Sequence, residues 1–180
     1  MVGICGYARS GKDTLASKMV ERLGYERRAF GDIMREILFA VNPIIIGSPS
    51  DGYYHPMRLA NIVRMRGWEL TKQIPEVREL MQRLGTEAGR SILGENIWVD
   101  ALFREPLSAP LVVSDVRFQN EADAIRERGG IIVRVVRNGV NATNGHSSEH
   151  TKIEYDFCIN NDSTPDALYE SFLSELNKAI

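Results

Sequence analysis

The chain has 180 residues, 26% of them charged, enough for one compact domain with a continuous core and room for an insertion or two. Lys+Arg 22 against Asp+Glu 24 leaves a formal net charge of -2, so no chain-wide basic surface exists to neutralise a polynucleotide backbone, and long nucleic acids are not expected as substrates. The most apolar run, Ile37 to Ile46, is broken by Asn42 and Pro43 and falls well short of the roughly 20 residues that cross a bilayer.

Val2 to Cys5 reads as a short buried strand, with neither the basic segment nor the cleavable apolar stretch of a signal peptide before it, and a soluble cytoplasmic protein is expected. Cys5 and Cys158, the only cysteines, each sit in a short apolar run, where small buried thiols are expected in preference to a disulfide or metal ligands. After the loop Gly6 to Lys12, Leu15, Met19 and Leu23 recur at helical spacing. A second strand is expected around Ala29 and Phe30, then a helix with Ile33, Ile37, Leu38 and Val41 that stops near Pro43. Gly47 to Pro56 is dense in turn formers and reads as a surface loop, in which Tyr53, Tyr54 and His55 form an aromatic cluster suited to closing over a base.

Pro75 to Arg90 reads as one helix and Asn96 to Phe103 as another. Leu111 to Val113 marks a buried strand ahead of Ser114 and Asp115, followed by a helix over Asn120 to Arg128 and a strand over Ile131 to Val136. Asn138 to His150 is a polar flap, Phe157 to Ile159 a last strand, and Thr164 and Pro165 open a final helix. Alternating helices and non-alternating apolar strands predict a three-layer α/β domain on a parallel sheet of about five strands.

Gly6-Tyr7-Ala8-Arg9-Ser10-Gly11-Lys12 fills the first seven positions of the phosphate-loop motif, and it lies between a strand and a helix as the chemistry requires. Gly6 and Gly11 let the backbone curl so that successive N–H groups converge on phosphate oxygens, and Lys12 adds a full charge. The eighth position holds Asp13 in place of Ser or Thr, with Thr14 next. Asp13 and Thr14 are therefore the candidate Mg²⁺ ligands, the alternative being that Asp13 is only a favourable charge in the first turn of a helix. Ser114-Asp115-Val116-Arg117 puts a carboxylate and a guanidinium at the C-terminal end of a buried strand, where open α/β sheets bind ligands; the alternative is a structural ion pair.

The variant Ser10-Gly11-Lys12-Asp13-Thr14 resembles the bacteriophage-type deoxynucleoside monophosphate kinases. Leu84 to Arg90, Glu95 to Val99 and Val113 to Glu121 are similar to that family's signatures in the same order, so the likeness runs from the first strand to the last helix. It implies a P-loop nucleoside monophosphate kinase-like fold in a single domain, 1–180, with a helical substrate-binding insertion at about 31–104 and a lid at about 137–152. It implies transfer of a phosphate from ATP, with Mg²⁺, to a deoxynucleoside monophosphate, in a host cytoplasm if the gene is a phage's. Other readings are a P-loop kinase for a coenzyme precursor or phosphomevalonate, or a nucleotide-hydrolysing switch, which the lack of an Asn-Lys-x-Asp motif disfavours.

By the same resemblance ATP is held by Gly6, Tyr7, Ala8, Arg9, Ser10, Gly11, Lys12, Asp13 and Thr14, with Asn160, after the last strand, near the adenine. Lys12, Asp13 and Arg137 are the catalytic candidates, and Arg137 is preferred over Arg134 because it lies nearer the flap. His146, Ser148 and Glu149 match a family pattern, and His146 has no partner at metal spacing. Asp32, Arg35, Arg90, Trp98, Asp115 and Arg117 are the acceptor candidates. Capping and solvation remain open for Asp32 and Arg35, core packing for Trp98, and an ordinary turn for Asn160. A homodimer is compatible with all of this.

Overall fold

The computed structural model describes residues 1–46, 55–140 and 153–179. The chain divides into two compact units, Met1–Phe30 with Leu102–Ile180, and Gly31–Ala101.

The first unit is built on a five-stranded sheet in the order β2-β5-β1-β6-β7, comprising β1 (Val2–Cys5), β2 (Glu26–Arg28), β5 (Leu111–Val116), β6 (Ile131–Val136) and β7 (Phe157–Asn160). All four pairings are parallel, with Val2 opposite both Val112 and Ile131, so β1 runs down the middle with a neighbour on each side. That position explains why VGIC is buried throughout and shows no alternation. Helices cover both faces. Leu15, Ala16 and Met19 of α1 (Lys12–Leu23) and Leu168 and Phe172 of the C-terminal helix, α7 (Pro165–Ala179), pack with Val2, Ile4, Val133 and Val135 on one side. On the other, Ile125 of α6 (Gln119–Arg126) comes so near Gly3 that a Cβ there would stand 2.8 Å from its Cδ1.

The sheet edges differ from expectation. Strand β2 is Glu26–Arg28 and not Ala29–Phe30, because at an edge a polar, half-exposed segment can supply the ladder while the buried Ala29 and Phe30 begin the next turn. Arg28 is then spent structurally, its guanidinium donating to the carbonyls of Leu102 at 2.8 Å, Glu105 at 2.9 Å and Pro106 at 3.0 Å. Cys158 lies on edge strand β7 and is exposed, contrary to the expectation of a buried thiol; Cys5, on the central strand, is buried. Burial pushes the Cys5 thiol up to about 11, an unreactive group that serves packing.

The second unit holds α2 (Phe30–Val41), whose first residue closes the preceding unit, a short antiparallel pair β3 (Ile44–Ile45) and β4 (Met57–Arg58), α3 (Leu59–Thr71), α4 (Pro75–Gln82), a π-helix Arg83–Leu93, and α5 (Ile97–Leu102). Leu38, Ile45, Leu59, Ile62, Ile74 and Val77 form its core. The single helix expected over Pro75–Arg90 is thus an α-helix that widens into a π-helix. Gly85 and Gly89 carry no side chain there, and the indole of Trp98 lies where a Cβ on Gly89 would be, its Nε1 donating to the Gly85 carbonyl at 2.8 Å. Helix α3 is broken at Gly67, whose φ of 74° is outside the helical range.

Phe172 is wholly buried in the cluster between sheet and helices. Phe172→Ala should lower the unfolding free energy by about 3–5 kcal/mol, measured by urea titration.

Candidate active site

The loop between β1 and α1 turns through three residues at positive φ, Gly6 at 137°, Arg9 at 67° and Gly11 at 107°. Glycine adopts such values without penalty, whereas Arg9 stores strain of about 1–3 kcal/mol. The turn aims the first N–H groups of α1 into the loop, a standing anion site. Lys12 leads the helix and folds back over it, its Nζ donating to the Tyr7 carbonyl at 2.8 Å. Burial first, and then the neighbouring Arg117 guanidinium, lower the Lys12 pKa, while Asp13 and Asp115 act in the opposite sense. Lys12, Arg117 and Asp115 therefore share one electrostatic field at the C-terminal ends of β1 and β5. Two cations that raise each other's energy are relieved when an anion is placed beside both, which is the arrangement a phosphate-transfer site needs.

Asp115 is half-buried, and its Oδ1 accepts from the N–H of Phe30 at 2.8 Å, so this carboxylate also fixes the start of α2. Arg117 is exposed. The turn that presents it is held by Glu121, 2% exposed, whose Oε2 accepts from the N–H groups of Arg117 at 2.8 Å and Phe118 at 3.2 Å. Glu121 was legible only as part of a motif; its spacing of three from Phe118, as in a capping box, was the available signal.

Asp13 projects to solvent with its side chain 80% exposed, 3.7 Å from Arg27, and Thr14 is half-buried. Among the described residues no cluster of three His, Cys, Asp or Glu forms a metal cage. An exposed carboxylate next to a phosphate loop fits Mg²⁺, which takes one or two protein oxygens and completes its shell with phosphates and water.

Several candidates stand differently from expectation. Trp98 is 3% exposed with its N–H committed to Gly85, so it braces the π-helix and offers no face for stacking on a base. Arg90, on that helix, is half-buried and donates to the Glu95 carbonyl at 3.0 Å. Asp32 and Arg35 pair with each other at 3.0 Å on α2, and Arg35 also approaches Glu69 at 3.5 Å. Arg137 is exposed at the end of β6, while Arg134, the less favoured of the two, stacks over the rings of Tyr7 at 5.9 Å and Tyr155 at 5.4 Å. His55 is exposed; Tyr53, Tyr54, His146, Ser148, Glu149 and most of the expected lid lie outside the described residues.

Asn160 is exposed, and its neighbour Asn161, not singled out by sequence, is 8% exposed against the phosphate loop. Asn161 Nδ2 donates to the Ser10 carbonyl at 2.8 Å, and the same amide occupies the place a Cβ on Gly11 would need. Its backbone N–H bonds Val136 O at 2.7 Å, fixing the amide to the end of the sheet. Gly11 is thus required twice, by its φ and by Asn161.

A glycine-rich loop from central strand to helix, with a lysine and a guanidinium at adjoining strand ends, defines a P-loop phosphotransferase. A family model for deoxynucleotide monophosphate kinases matches residues 57–172, and the chain belongs to that family. A protein of Acanthamoeba polyphaga mimivirus, provisionally assigned as a deoxynucleotide monophosphate kinase, is 27% identical over 203 residues, covering 99% of this chain and 97% of the relative. Among solved structures, a gluconokinase from Sinorhizobium meliloti 1021 has the same fold, with a TM-score of 0.50 and 17% identity over 98% of this chain and 91% of its own. A shikimate kinase from Aquifex aeolicus is similar at a TM-score of 0.45 and 10% identity, covering 98% of this chain and 95% of its own. The protein is a nucleotide kinase.

Asn161→Asp keeps the volume but turns a donor toward the Ser10 carbonyl into an acceptor. ADP affinity, measured by calorimetry, should fall roughly tenfold or more. Asp162→Ala, which removes only the exposed bonds that Asp162 accepts from Asn138, should stay within about threefold of wild type.

Proposed function

We propose that the enzyme converts a deoxynucleoside monophosphate and ATP into the diphosphate and ADP. The observation that carries this is the joint placement of Lys12, Asp115 and Arg117 beside the phosphate loop, read together with the family. The loop N–H groups and Lys12 hold the β- and γ-phosphates of ATP. Arg117 presents its planar fork to the acceptor's phosphate. An oxygen of that phosphate attacks the γ-phosphorus, a new P–O bond forms, the bond to the β-bridging oxygen breaks, and ADP departs with the electron pair. Lys12 follows the charge that gathers on the bridging and terminal oxygens.

Asp13 and Thr14 are the residues assigned to Mg²⁺, which, when bound, neutralises phosphate charge and orients the γ-phosphoryl group. Arg137 is assigned to charge on the transferring group, within a lid at about 137–152 that excludes water as the competing acceptor. Asp115 orients the acceptor and anchors α2. Within a substrate-binding insertion at about 31–104, Arg90, Asp32 and Arg35 are assigned to the acceptor on the strength of the resemblance alone, and Asn160 to the donor's adenine. A homodimer remains compatible.

A panel of ribo- and deoxynucleoside monophosphates with ATP and Mg²⁺, read as ADP formed, should show turnover only when an acceptor is present and fastest with a deoxynucleotide. Equal ADP formation without acceptor would replace transfer by hydrolysis. Lys12→Ala should retain the fold by circular dichroism and lose at least about a hundredfold in kcat, the size expected when one charge-stabilising group is removed.

Arg117→Ala should raise the acceptor KM about ten- to a hundredfold with ATP binding retained, the loss that accompanies one charge-assisted contact. An unchanged KM and kcat would remove Arg117 from the site.

A further inference from the structure

Arg134 is half-buried on β6, in register with Cys5 of β1 on one side and Cys158 of β7 on the other. Its neighbours along the strand, Val133 and Val135, pack with α1 and α7, so the period-two alternation of a strand turns Arg134 to the opposite face, the one beside α6. Both flanking thiols are small and leave a guanidinium room to lie across the strands. It stacks on the ring of Tyr7, 5.9 Å from the centroid, and on that of Tyr155, at 5.4 Å, both within the ~6 Å at which an aromatic face attracts a cation. With the described residues it makes no salt bridge and no hydrogen bond, so the two rings are its partners there.

The two rings belong to segments of different kinds. Tyr155 lies just before β7 in a stretch that α6 holds in place, Gln119 Oε1 accepting from the Glu154 N–H at 3.0 Å and Arg126 Nη2 donating to the Glu154 carbonyl at 3.0 Å. Tyr7 is the second residue of the phosphate loop, and its carbonyl takes two donors. The Ser10 N–H bonds it at 3.2 Å, closing the turn that contains Arg9 at positive φ, and Lys12 Nζ bonds it at 2.8 Å. One carbonyl therefore fixes both the curl of the loop and the place of its lysine. A carbonyl is aimed by its peptide plane, so any swing of the Tyr7 backbone carries Ser10 and Lys12 with it. Among the described residues, the Arg134 guanidinium is the one charged group that the Tyr7 ring meets.

We propose that Arg134 is a positioning residue for phosphate transfer: held between Tyr155 and Tyr7, it fixes the Tyr7 carbonyl and, through it, the place of Lys12. It touches no substrate. This role rests on the reading of Lys12 as the group that follows charge on the transferring phosphate. Planarity matters as well as charge, since a flat guanidinium can cover two rings at once, whereas an ammonium is a compact and more strongly hydrated point charge.

Hydrogen exchange at the Ser10 amide, followed by NMR, reads the loop without turnover. Arg134→Met keeps the stem and removes the planar cation, and it should speed this exchange about three- to thirtyfold, the span of one cation–π contact, with Arg134→Lys between it and wild type. The amide of Val133, in the core, should stay within about twofold. Unchanged exchange at Ser10, or an equal rise at Val133, overturns the proposal. The kinetics of transfer read the route through Lys12. In Arg134→Met, kcat should fall by a similar factor with the acceptor KM within about twofold, because the turn that presents Arg117 is untouched. In a Lys12→Ala background the same substitution should cost less than about twofold, since a group acting through Lys12 has nothing left to place. A loss that multiplies the Lys12→Ala effect, or a raised KM at unchanged kcat, overturns the role. Wild-type kcat in Arg134→Met beside a loss in Lys12→Ala overturns it too and leaves the kinase. If no monophosphate is turned over, the kinase reading fails, and faster Ser10 exchange in Arg134→Met still supports Arg134 as the residue that orders the loop.

Discussion

A backbone loop with left-handed conformations at Gly6, Arg9 and Gly11 has to be held shut, and the contact that holds it is made by Asn161, an amide 151 residues away from Ser10. A lone turn of this kind, with strain at Arg9, would relax; clamped against the end of β7 it keeps its N–H groups converged before any phosphate arrives. The sheet order serves that contact. With β1 central and β6 between it and β7, the end of β7 comes level with the loop, and Asn161 N–H bonding to Val136 sets the height at which its side chain meets Ser10.

The opposite side of β1 supplies the other half of the chemistry. Strand β5 pairs directly with β1 and ends at Asp115 and Val116, so whatever follows it lies beside the start of α1. Glu121 then pins the turn through the N–H groups of Arg117 and Phe118, and the Arg117 guanidinium adds to burial, the larger cause, in lowering the Lys12 pKa. A buried carboxylate acting as a helix cap thus positions a cation without touching it. Asp115 serves two purposes at once, since its carboxylate faces the lysine field while accepting from Phe30, the residue at which the chain passes into the Gly31–Ala101 unit.

That second unit follows different rules. Its core is helical, the one strand pair among its described residues is two residues long on each side, and its irregularities carry its character: the break at Gly67 and the π-helix braced by Trp98. π-helical turns are often found at functional sites, and here the widened turn carries Arg90.

Local spacing alone determined the strand–glycine loop–helix order at Gly6 to Lys12, the extent of β6 and the three-layer plan, because a glycine turn between a buried strand and a helix, and strands buried on both faces, write their constraints into consecutive residues; β5 runs on to Val116, past the Val113 at which its apolar run stops. Tertiary structure decided the rest. The backbone position of β2 was hidden because an edge strand needs no apolar pattern, and the exposure of Cys158 because sequence does not say which strand lies at an edge. Trp98 read equally well as core or as a base platform until Gly85 and Gly89 were seen to receive it. Arg134 stood behind Arg137 for its distance from the flap, yet Tyr7 and Tyr155 bracket it from two distant segments. Asn161 was one asparagine in an ordinary turn sequence, and only the parallel register of β7 on β6 brings its amide to the Ser10 carbonyl, since a contact across 151 residues leaves no local spacing to read.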